Sequence, residues 1–379
     1  MEAPFIFGKL AERNNFTNRR NEINRLITNF ESAINTTLIS PRRWGESSLV
    51  LRAAEEVTAN NKQIKACFVD VFDSRSEEQF YQSFAKEVLK STSGKIEEIG
   101  DFAKKFLSKM IPKISFSPDN MQDISISLDW QELKRDPSEV LDLGEKIAKE
   151  KGIKLIICLD EFQGIADYKN SKAFQKRLRS RWQKHQNVSY CLYGSKRHMM
   201  MDIFTKQSMP FYKFGDLMFL EKISKEDWIP FIQSQFAATK KKIGDKEAGL
   251  IADLVECHPY YVQQLAQLSW LRTKTSCKKT IIIEAHDSLM MQLSLLFQNM
   301  TSEVSITQLN FLKALLSGEK KLSSKDVLSK YELGTSANIS RIRKALANKE
   351  ILDLFANKVT FTDPVYKAWL EKYFFKIQN

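Results

Sequence analysis

One short loop carries most of the residue types that phosphate chemistry needs. The segment SPRRWGES, residues 40–47, follows the phosphate-binding pattern GxxxxGK[ST] at its second glycine, Gly45, and at its hydroxyl, Ser47. In that pattern the glycine lets backbone N–H groups approach a phosphate, and the hydroxyl binds Mg²⁺. Ser40 replaces the first glycine and Glu46 replaces the lysine. The loop therefore predicts a phosphate site whose cation has been exchanged for an acid.

A second candidate is the acid pair Asp160–Glu161, which follows the apolar run at 155–159 in LIICLDEFQ. After a buried strand, the first acid of such a pair holds the water shell of Mg²⁺ and the second orients the attacking water. The alternative is a helix cap, in which an aspartate precedes a first-turn acid. The loop upstream favours the first interpretation. Asp160 and Glu161 are then the predicted catalytic residues, and Ser47 and Asp160 the predicted metal ligands.

Strand-like and helix-like segments alternate between residues 36 and 220, and they must position these side chains. The short apolar runs lie at 36–40, 64–72, 153–160, 188–194 and 213–220. Such runs, separated by amphipathic stretches, predict a parallel sheet with helices on both faces. An inserted β-hairpin is predicted at about 112–130, where apolar and polar residues alternate around a Pro-Asp-Asn turn.

From residue 222 onwards the apolar spacing is helical. In the last 80 residues or so the order is helix, helix, helix, hairpin and final helix, which is typical of a winged-helix domain. The predicted fold class is an α/β P-loop NTPase sheet domain followed by an all-α lid and a winged-helix domain. The predicted boundaries are 1–221, 222–300 and 301–379.

The bulk composition limits the class of protein. The 379 residues are 43% hydrophobic, with 25 Phe and 6 Trp, which suffices for two or three domains with cores. The net charge of +12 suits a partner that carries phosphates. The five cysteines show no CxxC spacing, and no apolar run reaches the ~20 residues of a membrane span. We expect a cytoplasmic protein with reduced thiols, without a zinc site or a membrane partner.

The order of six segments resembles the AAA-type ATPases of the STAND group, often called archaeal ATPases. The likeness covers nearly the whole chain. The segments are FTNRRNEINRL (16–26), ISPRRWGESSLV (39–50), LIICLDEFQ (155–163), YGSKRHMM (193–200), HPYYVQQLA (258–266) and FTDPVYKAWL (361–370). They are similar to the family's adenine-side box, phosphate loop, Walker B strand, sensor, lid motif and terminal winged-helix signature. Asn18 departs from this pattern, because glycine or an acid is usual there.

The resemblance implies a site for ATP or ADP with Mg²⁺. The residues of this chain that it assigns to nucleotide binding are Phe16, Arg19, Pro41, Arg42, Arg43, Trp44, Gly45, Glu46, Ser47, Ser48, Ser195, Arg197, His258 and Pro259. Alternatives stay open for several of them. Trp44 suits packing better than base stacking, Ser195 and Arg197 suit a helix cap as well as a sensor, and His258 suits a helix start.

The glutamate at position 46 weakens the expected binding. Two unit charges about 4 Å apart interact by roughly 4 kcal/mol at an effective dielectric near 20. Exchanging attraction for repulsion therefore costs several kcal/mol, on the order of 10³-fold in affinity. A Glu46 side chain turned outward would lose only the attraction. Arg42 and Arg43 either offset the acid or are solvated loop residues.

Two basic segments are candidate nucleic-acid surfaces. In TSANISRIRKALANKE (335–350) the spacing turns Ile339, Ile342 and Leu346 inward. It leaves Arg341, Arg343 and Lys344 outward, as in a DNA recognition helix. The basic helix at 176–186 is either a solvated face or an arginine finger or nucleic-acid strip.

Together these features give a preferred hypothesis and two rivals. The preferred one is an AAA-type switch with impaired or absent hydrolysis, which couples ATP or ADP binding to DNA, a protein partner or a homo-oligomer. The first rival is a working ATPase in which another cation replaces the lysine. The second is a DNA-binding or assembly protein without nucleotide.

Overall fold

The computed structural model describes residues 3–10, 16–110, 113–116, 124–356 and 358–377. They divide into two compact units. The sheet unit comprises Arg19–Arg42 and Glu46–Glu221. The helical unit comprises the described residues of Met1–Asn18, Arg43–Gly45 and Lys222–Asn379. The three-domain division at 1–221, 222–300 and 301–379 stays a prediction.

The sheet unit is built on short strands whose side chains are largely apolar. In chain order these are β1 Thr36–Ile39, β2 Ile64–Asp70, β3 Lys113–Phe116, β4 Ile124–Ser127, β5 Lys154–Asp160, β6 Val188–Gly194 and β7 Asp216–Phe219. Five of them form one parallel sheet in the order β2-β5-β6-β1-β7. Strands β1 and β6 are buried along their whole length, as expected when helices cover both faces. The predicted parallel α/β sheet is confirmed.

Amphipathic helices cover this sheet. They are α1 Arg20–Glu31, α2 Glu46–Asn60, α3 Glu77–Thr92, α4 Ile96–Phe106, α5 Trp130–Arg135, α6 Ser138–Leu141, α7 Leu143–Lys151, α8 Ser171–Trp182 and α9 Arg197–Thr205, with 3₁₀ turns at Ser108–Met110 and Phe162–Asp167. In α3 the fully buried Phe80, Phe84 and Val88 recur every four residues, which turns one stripe of the helix to the core.

The insertion lies between α4 and α5. There β3 pairs antiparallel with β4, with Ile114 opposite Ile126. This is where the sequence predicts a hairpin. The predicted Pro-Asp-Asn turn, at 118–120, lies outside the described residues.

The register of the strands brings their carboxyl ends to one edge of the sheet. Asp70 pairs with Asp160, and Ile39 pairs with Gly194. Segments that follow β1, β5 and β6 therefore begin side by side. In open α/β sheets, ligands usually bind outside this carboxyl edge, at the point where the strand order reverses.

The helical unit has all of its described helices after residue 222, and its last element is a short π-helical turn. Its elements are α10 Lys225–Ala238, α11 Asp245–Leu254, α12 Pro259–Arg272, α13 Lys279–Gln292, α14 Ser294–Ser302, α15 Ile306–Leu316, α16 Lys325–Lys330, α17 Ser336–Asn348, β8 Leu352–Phe355, β9 Lys358–Phe361, α18 Pro364–Trp369 and the π-helical turn Leu370–Phe374. Strands β8 and β9 pair antiparallel. One apolar core includes both Trp228 and Leu370. The winged-helix assignment of the last part stays a prediction.

Within the described residues, no helix combines the length and apolarity needed to cross a membrane. The cytoplasmic placement of the protein stays a prediction.

Candidate functional site

The loop after β1 has the backbone of a tight turn that leads into a helix N-terminus. Gly45 has a φ of +89°, a conformation that strongly favours glycine. A Cβ added to Gly45 would meet no atom within 4 Å, so there is open space beside this residue. Helix α2 begins at the next residue, Glu46. Free N–H groups and the helix dipole at such a start favour an anion.

The loop and the acid pair are in direct contact. The Ser47 hydroxyl donates a hydrogen bond to Asp160 Oδ2 over 2.8 Å. Burial raises the pKa of Asp160 to about 6, although the Ser47 hydroxyl and the Glu161 N–H oppose this shift. The structure thus brings together the two residues that the sequence predicts as Mg²⁺ ligands.

Glu46 does not turn out to solvent. Its side chain is buried, with the residue only 7% exposed. Burial raises the pKa of Glu46 to about 7, and the nearby Asp160 and Glu161 carboxylates raise it further. Ser40, whose hydroxyl donates to Pro41 O over 3.0 Å, lies beside it and partly opposes the shift. The outward orientation considered from the sequence is therefore wrong, and the two departures from the loop pattern are neighbours.

One oxygen of Glu46 is buried without compensation. Among the described residues, Glu46 Oε2 has no hydrogen-bond partner. A buried carboxyl oxygen without a donor is unfavourable, which is consistent with a carboxyl group that stays protonated up to about pH 7.

Glu161 lies at a turn directly after β5. Its φ of +48° is uncommon for a residue with a side chain. Oε1 accepts a hydrogen bond from the Ser195 hydroxyl over 2.8 Å, and Oε2 accepts one from the Gln163 side-chain amide. The sequence predicted Glu161 and Ser195 but missed Gln163. A glutamine two residues after an acid pair has no recognisable spacing signal.

Arg19 is a buried cation of the sheet unit. It precedes α1, is 4% exposed, and its Nη1 donates to Glu22 over 3.0 Å. Burial lowers the pKa of Arg19, while the carboxylates of Glu22, Glu221 and Glu46 oppose that shift. Nη2 is buried without a hydrogen-bond partner among the described residues.

The remaining loop and sensor residues occupy varied positions. Pro41 and Ser48 are buried, Arg42 is exposed, and Trp44 and Phe16 are half-buried. Arg197 starts α9, two residues after Ser195.

The guanidinium of Arg43 lies over the Tyr260 ring at 4.6 Å, inside the helical unit. That contact engages the cation with an aromatic face.

His258 and Pro259 form the start of α12, with Pro259 in the first helical turn. His258 is 5% exposed, and burial lowers its pKa to about 3, with Lys222 and Arg43 adding to the effect. The ring is therefore neutral at physiological pH. This geometry fits the helix-start interpretation, and a nucleotide contact by His258 stays a prediction.

Two segments noted in the sequence meet inside the helical unit. Asp363 caps α18 by accepting hydrogen bonds from the N–H groups of Val365 and Tyr366, each over 2.9 Å. The Tyr261 hydroxyl, from α12, donates to the same carboxylate over 2.5 Å. No pattern in the sequence pairs Tyr261 with Asp363, because the two residues are 102 positions apart.

The predicted recognition helix corresponds to α17. Ile339, Ile342 and Leu346 are buried, and Arg341 and Lys344 are exposed. Arg343 differs from the prediction, because it is half-buried and its Nε is buried without a hydrogen-bond partner in the described part of the chain. It lies one helical turn after Ile339, at the border of the apolar stripe.

The basic helix at 176–186 corresponds to the end of α8 and the residues after it. Arg177 pairs with Glu77, and Arg181 pairs with Asp142. Arg179 donates to the backbone oxygen of Tyr212 over 3.1 Å. These arginines therefore connect α8 to its own unit, and the arginine-finger and nucleic-acid interpretations of this segment stay predictions.

No cluster of three or more His, Cys, Asp or Glu side chains within the described ranges is arranged to hold a metal ion. A Mg²⁺ at Ser47 and Asp160 would thus take its other ligands from phosphate oxygens and water, as this ion usually does. The space beside Gly45 suits an anion, whereas the buried Glu46 does not supply a cation.

No family model and no curated protein matches the chain. Solved structures do. The Walker-type ATPase PABY2304 of Pyrococcus abyssi matches with a TM-score of 0.67 at 17% identity, over 97% of this chain and 99% of that one. The Aeropyrum pernix ORC2 protein (ADPNP-ADP complexes) matches with 0.54 at 13% identity, over 96% and 94%. The Aeropyrum pernix ORC1 protein in complex with DNA matches with 0.51 at 11% identity, over 99% of each chain. The chain therefore has the fold of these proteins, a parallel α/β sheet followed by a helical region.

Proposed function

We propose that the chain is an AAA-type nucleotide-binding switch, in which residues 40–47 receive the phosphates of ATP or ADP. The observation that carries this proposal is the 2.8 Å hydrogen bond between Ser47 and Asp160. It joins the start of α2 to the acid pair at the carboxyl edge of the sheet. Ser47 and Asp160 would hold Mg²⁺, which supplies charge neutralisation to the phosphates when bound.

Glu46 impairs hydrolysis in this proposal. The loop lysine of such sites neutralises the outer phosphates, and a buried carboxyl group cannot do so. A protonated Glu46 would not repel the phosphates as a carboxylate would, but it carries no positive charge to neutralise them. Binding of a diphosphate or triphosphate is then weak, and chemistry at the outer phosphate is slow or absent.

The fold supports a nucleotide ligand. One protein of similar fold is described as a Walker-type ATPase, and another was solved with ADPNP and ADP. A third was solved in complex with DNA. We infer that the helical unit, through the exposed face of α17, is the part that responds to nucleotide by binding DNA. A protein partner or a second copy of the chain is the alternative occupant of that face.

Titration calorimetry of Mg-ADP and Mg-ATP tests the proposal in the wild-type protein and in Glu46→Lys. We expect the lysine variant to bind at least about 10²-fold more tightly, since attraction replaces a lost or repulsive interaction. Glu55→Lys is the matched control, because it makes the same charge change at an exposed position of α2. If Glu46→Lys binds no nucleotide, residues 40–47 are not a phosphate loop and the proposal fails.

A further inference from the structure

Both oxygens of the Glu161 carboxylate are engaged within the sheet unit. Ser195, directly after β6, donates to Oε1 over 2.8 Å, and Gln163 donates to Oε2 through its side-chain amide. The two donors lie on different segments, so together they define the orientation of the carboxylate. Turning Glu161 towards a water molecule would break at least one of these charge-assisted hydrogen bonds.

Gly194 is the residue that admits Gln163 to this position. A Cβ added to Gly194 would lie 1.8 Å from Gln163 Oε1 and 3.4 Å from Glu161 Cα. Gly194 ends β6, and its φ is not in the left-handed region. The backbone conformation therefore does not require glycine here, whereas the space occupied by Gln163 does.

Gln163 is held there at a cost. The residue is 3% exposed, and its Oε1 is buried without a hydrogen-bond partner among the described residues. Burying an amide oxygen unpaired is unfavourable. The hydrogen bond from the same side-chain amide to Glu161 offsets part of this unfavourable free energy.

We propose that Gln163 and Ser195 clamp the Glu161 carboxylate by engaging both of its oxygens, so that it cannot orient an attacking water, with Gln163 as a positioning residue. This inference rests on the proposed function. It adds a second block to hydrolysis, independent of Glu46. Restoring the loop lysine should therefore restore nucleotide binding without restoring full turnover.

The clamp is testable without nucleotide. In ¹⁵N NMR spectra of the wild-type protein, we expect the Gln163 side-chain amide to exchange slowly with water. Its signal is assigned by its loss in Gln163→Ala, with Gln175→Ala as the control at another fully buried glutamine. In Gly194→Ala, the new methyl group should displace the amide and remove the protection. Exchange as fast as that of exposed glutamines in the wild type would overturn the clamp.

Turnover is then compared in the Glu46→Lys background. Adding Gln163→Ala should raise ATP turnover at least tenfold with an unchanged dissociation constant for Mg-ADP. Gly194→Ala should have a similar effect that does not add to that of Gln163→Ala, because both release the same hydrogen bond. Gln175→Ala should change neither quantity.

The outcomes separate this inference from the proposed function. If Glu46→Lys binds nucleotide but Gln163→Ala leaves turnover unchanged or lowers it, the clamp does not restrain hydrolysis and the inference is overturned. If Glu46→Lys binds no nucleotide, the proposed function fails, and the NMR exchange result alone decides whether Glu161 is clamped.

Discussion

At the scale of single residues, Glu46 is the departure from the phosphate-loop pattern on which the proposed function depends. The sequence shows the substitution directly, because Glu46 stands where the phosphate-loop pattern has lysine. The burial of its side chain could not be predicted from the sequence. Burial beside Ser40, with Asp160 and Glu161 nearby, depends on contacts between strands that are distant in the chain. Gln163 shows the same limit, since its role depends on Gly194 being opposite it.

The pH dependence of stability should reveal the buried Glu46 carboxyl group. Its pKa is about 7 in the folded protein, against 4.5 for an ordinary glutamate. Between these values the unfolded chain has released the proton and the folded chain has not, so stability falls as pH rises from 4.5 to 7. We expect Glu46→Gln to gain up to about 3 kcal/mol relative to wild type between pH 4 and pH 8.

Chemical denaturation of both proteins without nucleotide or Mg²⁺ measures this difference. Glu55→Gln, at an exposed position of the same helix, should show a much smaller trend. A difference between Glu46→Gln and wild type that does not vary with pH would contradict the burial of an uncompensated carboxyl group.

At the scale of elements, strands and helices followed from hydrophobic spacing. Residues 64–72, 153–160 and 188–194 contain β2, β5 and β6 because each is a short apolar run between amphipathic segments. Which strands and helices lie next to each other could not be predicted from the spacing of apolar residues. The order β2-β5-β6-β1-β7 and the contact between α12 and the start of α18 both depend on residues far apart in the chain. Arg343 was misplaced for a simpler reason, because position 343 borders the apolar stripe of α17.

The Asp363 carboxylate should contribute substantially to the stability of the helical unit. It caps α18 and accepts the Tyr261 hydroxyl, which is largely buried. Asp363→Ala removes the cap, which costs about 1 kcal/mol, and leaves the hydroxyl unpaired, which costs about 1–3 kcal/mol. We expect a total loss of about 2–4 kcal/mol in the free energy of unfolding, measured by denaturant titration.

Asp326→Ala is the control for this substitution, since Asp326 is an exposed acid in the first turn of α16. An Asp363→Ala variant as stable as Asp326→Ala would show that the Tyr261–Asp363 contact does not hold the two helices.

At the scale of the whole molecule, the net charge suits a partner that carries phosphates. The net charge is +12, and α17 presents Arg341 and Lys344 to solvent. Lysines and arginines that contact phosphates release counterions, which makes binding depend on salt. The fold class was predictable from the order of motifs along the chain. The proposed coupling of DNA binding to nucleotide was not predictable in strength, because it depends on free energies that no spacing encodes.

Replacing both Arg341 and Lys344 by alanine should weaken DNA binding and reduce its salt dependence. The slope of log affinity against log salt should fall by about 1 for each lost phosphate contact, about 2 in total. Fluorescence anisotropy with duplex DNA at several salt concentrations measures this slope. Replacing Lys246 and Lys274, exposed elsewhere in the helical unit, removes equal charge and should leave the slope nearly unchanged. Equal losses in the two double variants would indicate a non-specific charge effect.

The backbone amide of Gly45 offers the most direct test that residues 40–47 bind phosphate. The chain has 13 glycines, so selective ¹⁵N-glycine labelling gives a simple spectrum in which Gly45 is observable. On addition of Mg-ADP to Glu46→Lys, we predict a large downfield shift of the Gly45 signal, because its N–H would donate to a phosphate oxygen. Saturation of the protein with Mg-ADP while the Gly45 signal stays unmoved would contradict the account.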